Sequence, residues 1–316
     1  MAVLSHDSCT PPDMPHQSVT APLDAGPPAP PAARVRRARH GLAVYFAVLI
    51  PLSVALEAVM IAHRSIGLAP LLMWVPALAS VVARSVLREG VHDVSFRLGG
   101  RRTLPSLGAA LLFANLVGVL AYGTAWLTGL VEFTAPTSSP GAMPAGGSAV
   151  VHLAVTLLVG NTLLTLLGVV TALGEEIGWR GYMLTRLIDA QVPRPVLVSG
   201  VIWSTWHLPP VIAGLYAVGP NVALSAVVFV VTATALAFVL ARLRLASGSL
   251  WPAVVLHAGW NAVILSVFDR FSTGANATLW IGESGILVAG VTVAFAVVFT
   301  RGPWPIRRAS RSPVGD

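Results

Sequence analysis

Polar positions in this chain are confined to short islands between long apolar runs. Eight stretches, 41–62, 69–87, 106–130, 152–182, 196–215, 221–241, 249–268 and 282–300, are apolar over most of their length. About twenty such residues carry a helix across a bilayer. The pattern predicts an all-α, polytopic transmembrane helical bundle of about eight spans. Residues 1–40 read as a disordered, Pro-rich N-terminal tail. It ends in a basic cluster, Arg34, Arg36, Arg37 and Arg39. Residues 41–300 form the transmembrane domain, with a Gly/Pro/Ser-rich loop at 131–148. Residues 301–316 read as a basic C-terminal tail.

Composition agrees with a membrane setting. Of 316 residues, 55% are hydrophobic and 10% charged, against about a quarter charged in soluble domains. The formal charge of +7 does not point to nucleic acid, because the basic residues cluster between apolar runs as they do in membrane proteins. The expected surroundings are a lipid bilayer. All twenty basic residues are arginine; with the Ala, Gly and Pro richness, this points to a bacterial plasma membrane. The single cysteine, Cys9, rules out an intramolecular disulfide.

Arginine placement predicts orientation. With a cytoplasmic N-terminus, the inside segments are the 34–39 cluster, 84–105, roughly 183–195 with Arg180 counted to it, 242–248 and 301–316. They hold 18 of the 20 arginines, and only Arg64 and Arg270 fall outside. Both termini are expected in the cytoplasm.

Ionisable side chains inside apolar spans are costly and mark functional sites. Here they are Glu57, Glu175, Glu176, Arg180, His207 and His257, with Asn261 as an uncharged companion. Glu57 is expected to be paired with another helix or neutral. Glu176 and Arg180, four apart, can pair along one helix face. Glu175 lies about 100° around the helix from Glu176 and is left free to act elsewhere. Glu175 and His207 each lie about 16 Å into their spans and His257 about 12 Å, at 1.5 Å per residue. Three helices thus bring Glu, His and His to comparable depth, counted from the cytoplasmic side. Asn261 shares a helix face with His257.

A carboxylate base, two imidazoles and a carboxamide donor can activate water and stabilise an oxyanion. The same groups could equally hold a divalent metal such as zinc, with Glu175, His207 and His257 as ligands. The chain has no His-Glu-x-x-His helix and no Gly-x-Ser-x-Gly turn, so it lacks the usual signatures of soluble zinc proteases and serine hydrolases.

Glu175-Glu176-x-x-x-Arg180, Trp203-x-x-x-His207 and His257-x-x-x-Asn261 together resemble the three motifs of the CPBP intramembrane proteases. That family includes the CAAX prenyl endopeptidases of the Rce1 type and the bacterial Abi and bacteriocin-immunity homologues. The resemblance covers roughly residues 150–270, the expected protease core. It implies an intramembrane metalloendopeptidase in which Glu175 activates the attacking water beside His207 and His257. Asn261 would support the oxyanion, and Arg180 would orient the glutamates. Trp203 stands where the family more often has Phe, a change expected only to enlarge the cavity wall. The implied partner is a peptide or membrane-protein substrate, reached through a cavity open to the cytoplasmic side. Two other readings compete: a non-catalytic immunity or scaffold membrane protein, and a proton-coupled transporter.

Overall fold

The computed structural model describes residues 31–98, 100, 102–136 and 148–302. Each of the eight apolar stretches carries a helix: α1 (Pro31–Ala62), α2 (Ala69–Leu87), α3 (Thr103–Leu127), α4 (Ala149–Asp189), α5 (Pro195–Trp206), α6 (Val222–Ser247), α7 (Trp251–Phe271) and α8 (Ile286–Thr300). Among the described residues, six of these are long and apolar enough to cross a membrane. The other two, α5 and α8, reach only about 18 and 22 Å, short of a hydrocarbon core of about 30 Å. In α5 the limit is set by Pro209 and Pro210. Proline lacks the N–H and crowds the preceding turn, so the chain breaks at His207 and resumes as a short helix, Leu208–Ile212.

One expectation is corrected at the N-terminus. Residues 31–40, assigned above to the tail, are the first turns of α1. Alanine and arginine are strong helix formers, and proline is tolerated in a first turn, so the basic cluster extends the helix. The rest of that tail, the centre of the 131–148 loop and most of 301–316 lie outside the described residues. Among the described residues the sheet content is one short antiparallel pair, Glu132–Phe133 against Ser272–Thr273, joining the segments that follow α3 and α7.

The middle of the bundle is α7, packed against α3, α4 and α6. Its Leu256, Trp260, Val263 and Ile264 are buried. Leucines and valines on the outer faces of α3, α4 and α6, such as Leu112, Leu166 and Val227, are exposed, as lipid-facing positions are. At the arginine-rich end, charges close the bundle. Arg186 Nη2 meets Glu89 at 2.9 Å and Asp93 at 2.7 Å, and Arg84 reaches Asp93 at 2.5 Å. Arg244 donates to the Asp93 carbonyl at 2.7 Å. These bonds fold the 88–98 segment under the helix ends.

Close approach of α2 and α4 requires glycine beside the glutamate pair. A Cβ at Gly178 would stand 2.5 Å from the Pro76 carbonyl carbon and oxygen, and one at Gly174 would be 2.7 Å from the Met73 carbonyl oxygen. Both obstacles are backbone and cannot swing aside. Gly178→Ala is expected to cost about 1–3 kcal/mol, the usual range for overpacking. Gly123→Ala, where a Cβ meets nothing within 4 Å, serves as the control. Thermal unfolding of both variants in detergent checks this, and equal midpoints would refute the close α2–α4 contact.

Candidate active site

The motif residues sit where three helices bend out of regular α geometry or end. In α4 the stretch Trp179–Met183 is a π-turn that begins just after the glutamates. In α7 a second π-turn, Asn261–Leu265, begins at the motif asparagine. Such turns insert a residue into the helical ladder and re-aim side chains, and they are frequent at functional sites. His207 occupies the end of α5.

Glu176 is the buried anchor of the site. It is fully inaccessible, and its Oε1 accepts from Arg180 Nη1 at 2.8 Å. The same oxygen meets His257 Nδ1 at 2.9 Å. The pairing of Glu176 with Arg180 along one helix face is as the spacing predicts; the bond to His257 joins α4 to α7. With Nδ1–H turned to the carboxylate, His257 keeps Nε2 for other work. Arg180 also lies over the Trp203 ring, its Cζ 4.3 Å from the centroid, a cation–π contact.

Glu175 faces the other way. It lines a cavity of about 280 Å³ together with His207, His257 and Asn261. Its Oε2 accepts from Trp203 Nε1 at 2.8 Å and from Trp179 Nε1 at 3.1 Å. Those two indoles fix the carboxylate without neutralising it. His207 Nδ1 lies 2.9 Å from the Trp203 carbonyl. A carbonyl only accepts, so Nδ1 carries the proton and Nε2 is free. Ring contacts with Trp206 and Phe229, at centroid separations of 4.8 and 5.6 Å, hold the imidazole in place.

All six candidate residues, Glu175, Glu176, Arg180, His207, His257 and Asn261, therefore gather at one place, four of them on the cavity wall and Glu176 with Arg180 behind it. Glu57 does not join them. It is buried on α1 with Oε1 unpartnered among the described residues, and α1 sends Met60 into the cavity instead.

Three features depart from the sequence reading. The Trp203 substitution does more than enlarge the wall, because its indole N–H holds Glu175, a bond that phenylalanine cannot make. Trp179 was not singled out, although its place four residues after Glu175 puts it on the same helix face. Finally, the cavity does not point to the arginine-rich end. Its lining includes Met60 and the turn after α1, the start of α2, the last turn of α5 and the first half of α6, at the opposite helix ends from Arg84 in α2 and Arg244 in α6. Exposed Ile66 is part of its rim. Depth counted from where apolar residues begin does not allow for a helix that starts beneath a loop, as α7 does: Leu250 is buried and its N–H donates to the Ser95 carbonyl at 3.0 Å.

The donor types suit a divalent metal, and the Nδ1 partners of both histidines resemble the outer contacts of metal-bound imidazoles. The spacing does not: among the described residues no three His, Cys, Asp or Glu side chains come close enough together to hold one ion.

Residues 150–263 match a family model described as type II CAAX prenyl endopeptidase Rce1-like. The matched segment contains all six candidate residues and both indoles that hold Glu175. The resemblance read from the three motifs therefore holds over this part of the chain. No curated protein matches the chain.

Proposed function

From the family match over residues 150–263, we propose that this protein is a CAAX-type intramembrane endopeptidase that hydrolyses a peptide bond with water activated by Glu175. The observation that carries the proposal is the division between the two glutamates. One is neutralised by Arg180 and sealed away. The other is held by neutral indoles on the wall of a cavity that also receives two imidazoles and a carboxamide.

In this mechanism the free Glu175 oxygen takes the proton of a cavity water as that water attacks the scissile carbonyl. His207 and His257 accept hydrogen bonds from the water through Nε2, and the protonated Glu175 then delivers its proton to the departing amine. The Asn261 carboxamide donates to the oxyanion. Glu176 and Arg180 act through His257 and the helix, so they are positioning residues. No step is assigned to a metal. A scaffold reading leaves the exposed lone pairs of both imidazoles without a purpose. Incubating purified protein with apolar peptides and sequencing the products tests the proposal. New, reproducible cleavage sites are expected, and their absence across a broad peptide set would count against it.

The arginine bias supports cytoplasmic termini and a plasma-membrane location. In that orientation the cavity faces the extracytoplasmic half of the bilayer, not the cytoplasm, so substrates are exported or outer-leaflet segments. A cysteine introduced at Ile66, in a chain with Cys9 replaced by serine, should react with a membrane-impermeant maleimide in intact cells. Reporter fusions after Arg39 and Arg301 should read as cytoplasmic. Labelling at position 66 only after lysis would reverse the assigned side.

A further inference from the structure

The cavity wall carries a second carboxylate that none of the three motifs includes. Glu283 comes from the segment before α8 and is 8% exposed. Its Oε1 accepts from Trp260 Nε1 at 2.6 Å, and its Oε2 accepts from the Tyr216 hydroxyl. Both donors are neutral. Among the described residues Glu283 forms no ion pair, and no arginine lines the cavity. A second acid stands nearby: Asp269 accepts from the Tyr122 hydroxyl at 2.5 Å, and that hydroxyl in turn accepts from the Gly282 N–H at 3.1 Å.

The surroundings of Glu283 are aromatic. Trp206, Tyr216, Phe229 and Trp260 line the same cavity, with Tyr216 and Phe229 at 5.9 Å between ring centroids. A carboxylate among π faces, held by neutral donors and lacking a counter-ion, is a receptor for a cation. If Glu283 served only to tie Tyr216 to Trp260, a neutral amide would suffice; a carboxyl adds the capacity to meet a cation with a full charge.

We propose that Glu283 is a specificity-determining residue that takes a lysine or arginine side chain of the substrate, while the rest of the cavity takes apolar residues. This rests on the protease reading for the word substrate, and the test below separates the two. The Glu175→Gln variant is used so that binding is read without turnover. The probes are fluorescent Leu/Ala-rich peptides carrying one lysine at successive positions, each compared with its norleucine counterpart.

At one or two lysine positions the lysine peptide should bind roughly tenfold more tightly than its counterpart, a range usual for a desolvated charge pair. Adding Glu283→Gln should bring that ratio near one, whereas a purely structural tie would weaken both peptides alike and keep the ratio. Should the double variant fail to fold, zero-length carbodiimide coupling on the single variant gives the answer, with an amide expected between the peptide lysine and Glu283. A ratio near one at every position, a ratio that survives Glu283→Gln, or coupling only to other carboxylates would overturn the assignment. Selective binding by a protein that cleaves nothing would keep Glu283 as a cation site and sink the protease reading instead.

Discussion

Glu176→Gln is expected to lower stability by about 3–5 kcal/mol, the usual cost of removing one member of a buried ion pair. Arg180 is 1% exposed and donates its side-chain hydrogen bond to Glu176 alone among the described residues. A glutamine keeps one acceptor but leaves the guanidinium charge uncompensated. Glu175 also acts on Arg180 electrostatically, which places the effect toward the lower end of that range. The same oxygen holds His257 Nδ1, and a neutral amide oxygen holds that proton less strongly than a carboxylate. Thermal unfolding in detergent, with cleavage rates measured well below the midpoint, checks this. A variant as stable as the parent but inactive would mean that Glu176, not Glu175, is the base.

Glu175→Gln should act in the opposite way. The amide oxygen can still accept from both Trp179 and Trp203, so the fold has little reason to change. Only proton affinity is lost. General-base catalysis contributes on the order of 10²–10⁴ in rate, and a loss of that size is expected with an unfolding midpoint close to the parent's. Trp203→Phe gives a milder companion result. It keeps an aromatic wall but removes the 2.8 Å hydrogen bond to Glu175, so activity should fall by less than in the glutamine variant. Full activity in Glu175→Gln would remove the base from the proposal.

Much of the site was legible because spacing alone decides which side chains share a helix face. Glu176 with Arg180, and His257 with Asn261, follow from four-residue separations. What could not be counted was tertiary. The bond between His257 and Glu176 needs α4 and α7 in contact. The indole donors to Glu175 read in sequence as ordinary apolar residues, since tryptophan shows its polar atom only once buried against a partner. Glu283 lies at the edge of an apolar stretch, where a carboxylate looks solvated; the packing of Tyr216 and Trp260 encloses it. The end of the bundle to which the cavity belongs is likewise a matter of packing. Helix ends buried under loops shift true depth away from the point where hydrophobicity begins.

The central claim is that Glu175 activates water to cut a peptide bond within the bundle. The most direct measurement places purified protein and its Glu175→Gln variant in lipid vesicles with an apolar, lysine-bearing peptide in water enriched in oxygen-18, and reads the fragments by mass spectrometry. The account predicts complementary fragments from the parent, oxygen-18 in the new carboxyl terminus, and no fragments above background from the variant. Equal cleavage by both proteins, or none by the parent, would contradict it.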